Sequence, residues 1–176
     1  MKAAILSAFG EELRIEERPD PEIGTGEVLV DIVAAPMLSY TAEVLSGKRQ
    51  YMLPTPVIPG GGAIGRVRET GPDATKLSAG DWVFCDPTVR SRDGGGQPDI
   101  TLQGISARGE GGQKLQCYFR DGTFAERIRV PTENAIPIGP INPQHAGKWC
   151  VIGTLLIAYG GLLAMDFRPG ESLLVS

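Results

Sequence analysis

The residue types that most readily do chemistry are few and scattered in this chain of 176 residues. There is one histidine, His145, set in Asn142-Pro143-Gln144-His145 at what reads as a helix start, where a surface or capping role is expected. The three cysteines, Cys85, Cys117 and Cys150, are far apart and odd in number, so they imply no disulfide framework. Arg90 and Arg92, beside Asp86-Pro87-Thr88, are candidates for meeting a cofactor phosphate or an acidic substrate, against a plain solvated role. Gly60-Gly61-Gly62 has a phosphate-loop look but lacks the lysine, and it does not lie between a buried strand and a helix. It reads instead as a place where backbones approach closely.

The elements that must position any site are legible from punctuation. With 24 Gly and 14 Pro against 5 Phe, 4 Tyr and 2 Trp, the chain suits many short strands joined by turns rather than a helical bundle. Apolar residues are 41% and charged residues 22%, as in soluble globular proteins, and a formal charge of −4 argues against nucleic acid or an anionic membrane as partner. The N-terminus has neither the apolar core nor the cleavage site of a secretion signal, so a reducing cytoplasm is expected.

Strands are expected over residues 2–9, 13–18, 27–34, 63–69, 81–85 and 124–130. A short helix is expected over 39–45, with Ser39 as N-cap and Ser46-Gly47 as the stop. Residues 86–122 are polar and Gly-rich without a period, and read as a long surface excursion. Asn142-Pro143 opens a helical region reaching about Met165. No charge occurs from Trp149 to Met165, but Gly153, Gly160 and Gly161 weaken a membrane reading, and a helix buried between two domains is expected. Residues 172–176 then follow a buried-strand pattern.

A series of phrases, each weak alone, occurs here in one order. They are Gly26-Glu27-Val28-Leu29-Val30, Pro59-Gly60, Gly65-Arg66-Val67 with Gly71-Pro72, and Ala79-Gly80-Asp81-Trp82-Val83. Gly122-Thr123-Phe124-Ala125-Glu126 with Val130-Pro131, Ala158-Tyr159-Gly160-Gly161-Leu162, and Arg168-Pro169-Gly170-Glu171 complete the set. Together they resemble the medium-chain dehydrogenase/reductase superfamily, which includes zinc alcohol dehydrogenases and zinc-free quinone and enoyl reductases. The resemblance implies a mainly β fold: a small GroES-like β-barrel with short helices over 1–140. Residues 141–176 would then be interdomain helices and the first strand of a truncated Rossmann domain.

In zinc-dependent members of that family, the metal ligands fall at positions matching Leu38, Gly61 and, less surely, Gly153, none of which has a donor side chain. The lobe that would hold a structural zinc offers Cys85 and Cys117 alone, which read as packing residues. The resemblance therefore implies no metal, and NADP(H) or NAD(H) as cofactor, bound mainly by residues beyond this chain. It places Tyr40 at the position of the family's proton-relay hydroxyl. There a phenol either hydrogen-bonds or protonates a substrate oxygen, or simply packs its ring with the hydroxyl in solvent. Ser39 and Thr41 flank it as further candidates or as caps. Ile157, Val175 and Ser176 are the candidate cofactor contacts.

The implied reaction is hydride transfer to an enone, quinone or related carbonyl compound, because without a Lewis acid an activated acceptor is the easier substrate. A small-molecule substrate and a homodimer accompany this expectation, and these 176 residues alone are expected to be inactive. The alternative is a non-catalytic GroES-like binding or assembly module. Against it stands the apolar tail, which a self-sufficient barrel would leave as a sticky patch.

Overall fold

A computed structural model describes residues 1–168 and 170–173. At its centre is an antiparallel sheet of five strands whose spatial order is β10-β5-β4-β3-β9. These are β3 (Glu27–Ala34), β4 (Ala63–Thr70), β5 (Trp82–Cys85), β9 (Arg127–Pro131) and β10 (Ala135–Pro137). Strand β3 pairs with both β4 and β9, which explains why its sequence turns apolar on both faces: Val28, Leu29 and Val30 are all buried. The β3–β4 register slips between Leu29 and Val30 and again between Ile32 and Ala34. Such bulges bend the strands and let a small sheet curl. One core cluster joins Val28, Val30, Val67, Val83, Ile128 and Val130 on one side of the sheet, and Ile64 and Phe84 form another with Ala146.

A hairpin of β1 (Lys2–Ile5) and β2 (Arg14–Glu17) lies alongside, tied in by the Ala3–Ala125 and Leu6–Val57 bridges. The short helix α1 is Thr41–Leu45, with its cap one residue later than expected: the N-cap is Tyr40, without a side-chain bond. Ser39 therefore does not cap it. The stop does fall at Ser46-Gly47, where Gly47 adopts φ +77.

Residues 86–122 are not the irregular excursion expected. They contain β6 (Thr88–Arg90), β7 (Ile100–Leu102) and β8 (Ser106–Ala107), which make a three-stranded sheet, and the helix α2 (Gly109–Tyr118). Strands of two or three residues are too short to show a period, and α2 begins with Gly109 and continues through Gly111-Gly112, residues poor at helix formation. Tertiary contact overrides propensity there: a side chain on Gly112 would crowd the Ile100 carbonyl at 2.5 Å, so the glycine lets α2 lie directly on β7. Cys117, on α2, is exposed rather than packed, while Cys85 is buried and desolvation pushes its thiol up to about 12.

Past the barrel, the Asn142 side chain accepts from the Gln144 N–H at 3.0 Å, as the sequence predicts for a capped helix start, and His145 is exposed. Helices α3 (Ala146–Trp149) and α4 (Ile152–Ala164) follow. The run Pro143–Ala164 has a mean hydropathy of 1.4 and is long enough to cross a membrane, judged by length and composition only. The expectation that this region is buried needs correcting for these residues. Its first part rests on the sheet through Ala146, Cys150 and Ile152, yet α4 contains no buried residue, because nothing among the described residues covers it. The strand expected over residues 172–176 is not formed at Ser172 and Leu173, and the rest of it lies outside the described residues.

Candidate active site

Three backbone segments that are distant in sequence interlock to build the floor of the site. The Gly60 N–H donates to the Gly104 carbonyl at 3.1 Å, the Gly60 carbonyl accepts from the Thr123 N–H at 3.0 Å, and the Phe124 N–H donates to the Pro59 carbonyl at 3.0 Å. Gly60 adopts φ +105, and a Cβ there would lie 2.6 Å from the Phe124 ring and 2.7 Å from Thr123 Oγ1. The glycine run is therefore a close backbone approach, as its sequence suggests. Above this floor a small pocket is lined by Leu38, Tyr40 and Thr41 from the start of α1, by Gly60 and Gly61, and by Ile105 and Phe124.

The residues singled out from sequence divide accordingly. Tyr40, Thr41, Leu38 and Gly61 are brought together, whereas Ser39 and Gly153 do not line the pocket. A Cβ on Gly153 would lie 3.6 Å from the ring of Phe84. Ile157 is 79% exposed on α4, and Val175 and Ser176 lie outside the described residues. Ile105 went unnoticed in the sequence because nothing local marks it, and Phe124 figures there as part of a phrase rather than as a site residue. Ile105 lies inside the Gly-rich stretch, and long-range backbone bonds such as Gly60–Gly104 bring it to the pocket.

The donor set does not fit a zinc ion. Leu38 and Gly61 share the pocket but offer no ligand atom, and among the described residues no three His, Cys, Asp or Glu side chains converge. Gly61 also lacks room for a ligand: a Cβ there would overlap Ile105 Cδ1 and lie 2.7 Å from its Cγ1. The space that a histidine would enter is filled by hydrocarbon.

The Tyr40 ring packs on a cluster of Leu6, Val44, Leu53 and Val57. Desolvation pushes its phenol above the usual tyrosine range, Tyr51 pushes the same way, and the Arg49 cation opposes both. A phenol in this state is protonated at neutral pH, so it can donate a hydrogen bond. Its hydroxyl enters no hydrogen bond with another described residue.

The pocket holds only about 20 Å³, room for one water and far short of a substrate. A larger cavity of about 360 Å³ opens elsewhere, near Pro56, Val57, Tyr118 and β9. Its four arginines are committed: Arg18 to Glu16 at 2.7 Å, Arg127 to Asp20 at 2.7 Å and Asp31 at 3.0 Å, Arg120 to Asp121 at 3.4 Å, and Arg129 to the Glu22 and Tyr118 carbonyls at 3.2 and 2.8 Å. Arg92, considered above for a phosphate, is likewise engaged by both Glu133 oxygens at 2.9 and 2.8 Å, which makes it a brace between the β6 lobe and the turn after β9. Arg90 donates to the Thr88 carbonyl at 3.2 Å.

Comparison with known proteins gives the family of the chain. Residues 24–140 match the Alcohol dehydrogenase GroES-like domain. The chain is 31% identical over 184 residues to an alcohol dehydrogenase of Rhizobium meliloti (strain 1021), covering all of this chain and 50% of that protein. It is 25% identical over 183 residues to an acryloyl-coenzyme A reductase of Metallosphaera sedula, again covering all of this chain and 51% of the relative. The structure of a thermostable alcohol dehydrogenase from Pyrobaculum aerophilum, with cobalt and zinc bound, superposes with a TM-score of 0.72 at 26% identity, over 97% of this chain and 50% of the other. The chain thus spans about half the length of the relatives it matches. It belongs to the medium-chain dehydrogenase/reductase superfamily, and residues 24–140 are its GroES-like domain.

Proposed function

We propose that this chain is the catalytic-domain portion of a zinc-independent, NAD(P)H-dependent oxidoreductase that reduces an enone, quinone or related conjugated carbonyl compound. The observation that carries this reading is the meeting of Leu38 and Gly61 in one pocket with Tyr40, with Ile105 filling the space beside Gly61. At positions where the family's zinc enzymes hold their metal, this pocket presents hydrocarbon, with the Tyr40 phenol and Thr41 beside it. The likeness to an acryloyl-coenzyme A reductase, whose name describes a conjugated substrate, points the same way.

A nicotinamide cofactor, when bound, supplies hydride to the electrophilic carbon of the acceptor. Leu38, Ile105 and Phe124 form an apolar floor for a flat conjugated group and exclude water from it. Tyr40 hydrogen-bonds the substrate oxygen and holds the proton that balances the negative charge developing there. Because the pocket is so shallow, substrate and cofactor need a second wall, which we assign to a nucleotide-binding half. The exposed α4 belongs to that junction, rather than to a lipid bilayer, since Gly153, Gly160 and Gly161 make it a weak spanning helix. The same reading makes the enzyme cytoplasmic and homodimeric, with NADP(H) or NAD(H) held mainly outside these residues.

The test is oxidation of NADPH and NADH by the complete protein against quinones, enones and plain aldehydes, alongside metal analysis. Turnover of the conjugated acceptors that survives chelation, without stoichiometric zinc, is expected. Chelator-sensitive oxidation of simple alcohols with bound zinc would overturn it, and no turnover at all would favour a binding module. Tyr40→Phe should lower kcat/KM by about 100-fold, the lower end of what a positioned proton donor contributes. An unchanged rate would remove Tyr40 from the site.

A further inference from the structure

We propose that Arg49 is the positioning residue of Tyr40: stacked on the phenol face and tethered at both edges, it clamps the ring in the orientation that lines the pocket. The inference deepens the reading of Tyr40 given above and rests on it.

The chain makes an unusual return to place this arginine. After α1 it turns at Gly47 and passes through Gln50, which holds φ +52, a left-handed conformation that few residues other than glycine adopt. The Arg49 N–H donates to the Glu43 carbonyl at 3.3 Å and the Gln50 N–H to the Gly47 carbonyl at 3.0 Å, so the turn doubles back over the helix that Tyr40 opens. The Arg49 guanidinium carbon thereby lies 4.2 Å from the centre of the Tyr40 ring. Its Nε donates to Glu43 at 2.8 Å and its Nη1 to the Tyr51 hydroxyl at 3.2 Å. A planar guanidinium tethered at two edges presents a flat face to the ring, which a lysine ammonium cannot do.

Energetics favour a local task over a general one. The Arg49 side chain is 36% exposed and its partner Glu43 is more so, and exposed ion pairs of this kind add little to stability. What they do settle is geometry. Tyr40 packs on Leu6, Val44, Leu53 and Val57, and that cluster leaves the ring partly open on its other side. Arg49 stacks on the ring there, so the phenol is held between hydrocarbon and cation. The packed elements bring only apolar side chains to it; the titratable and charged groups that act on it are Tyr51 and Arg49, with Glu43 reaching it through Arg49. The cation also favours the phenolate and so opposes the effect of burial, keeping the hydroxyl a more willing proton donor than its surroundings alone would allow.

Two measurements on the complete enzyme test this. The first is titration of ring-labelled tyrosines by NMR in the parent, Arg49→Lys and Arg49→Gln, with Tyr40 identified by its loss in Tyr40→Phe. The Tyr40 midpoint should move up in Arg49→Gln and less in Arg49→Lys, while that of Tyr118, remote from Arg49, stays in place. The second is a double-mutant cycle on turnover. Arg49→Gln should lower kcat roughly 5-fold, the scale of one cation–π contact, with KM little changed. In the Tyr40→Phe background it should add no further loss. An unmoved Tyr40 midpoint, or a loss that persists without the phenol, overturns the proposal while leaving Tyr40 in its role. A Tyr40→Phe enzyme of unchanged rate overturns that role and this inference together.

Discussion

The central sheet and helix α4 are written in similar residues but stand in opposite environments. Strands β3, β4 and β5 bring Val28, Val30, Ile64 and Val83 to full burial, each enclosed by neighbouring strands. In α4, Leu155, Ile157, Tyr159 and Leu163 all face outward, and Ile157 is the most open large apolar residue among the described residues. Apolar sequence therefore reports an intention to be covered, and only the partner elements turn it into stability. The strands of the sheet all lie between residues 27 and 137 and cover one another, with Ala146 added from α3, whereas beyond Ile152 the cover of α4 is not among the described residues.

Four measurements would break or sharpen this contrast. The largest effect is expected from Ile64→Ala in β4. It removes a fully buried side chain between Phe84 and Ala146 and should cost about 2–5 kcal/mol in a denaturant titration. A loss below about 1 kcal/mol would mean that the sheet core is loosely packed. Next comes Gly61→Val at the pocket floor, where Ile105 already occupies the space; about 1–3 kcal/mol of overpacking is expected. Shortening the neighbour in Gly61→Val/Ile105→Ala should restore part of that loss, and a purely additive pair would disprove the contact.

The third concerns the brace between the lobe and the barrel. Arg92 holds the Glu133 carboxyl below the usual carboxylate range by direct hydrogen bonding. A carboxylate whose folded pKa is depressed contributes stability above its unfolded value near 4.5, and that stability is lost as the pH falls through the lower folded value. With the Glu133 side chain 52% exposed, the contribution should not exceed about 1 kcal/mol. Glu133→Gln should flatten the stability profile below pH 4.5, and an identical profile would refute the coupling. Smallest of all is Ile157→Ser on α4. In these 176 residues it should change stability by less than about 0.5 kcal/mol, since no contact is lost. In a complete enzyme with α4 covered the same change should cost several times more, and equal costs in both would sink the idea that the helix has a protein partner.

Much of the fold was legible because it depends on local or nearest-neighbour rules. The apolar run of β3, the Ser46-Gly47 stop and the Asn142-Pro143 start all stand where short-range propensity puts them. The lobe of residues 86–122 escaped because its strands are two or three residues long and its helix opens on glycines. The site was legible in part. The ordered phrases of the resemblance selected Leu38, Tyr40 and Gly61, and the pocket contains all three. Ser39 and Ile157 came from the same reasoning and do not line it, since adjacency in sequence says nothing about which way a turn or a helix faces.

By itself, then, the sequence determined the composition of the β-rich domain, the punctuation of its strands and the absence of donor atoms at Leu38 and Gly61, since these are properties of residue types and their order. Tertiary structure alone decided that Ile105 fills the space beside Gly61, and that Arg49 lies over Tyr40 while Arg92 is spent on Glu133. Those contacts join residues 9, 41 or 44 positions apart. They depend on where independent segments meet, which no short-range propensity encodes.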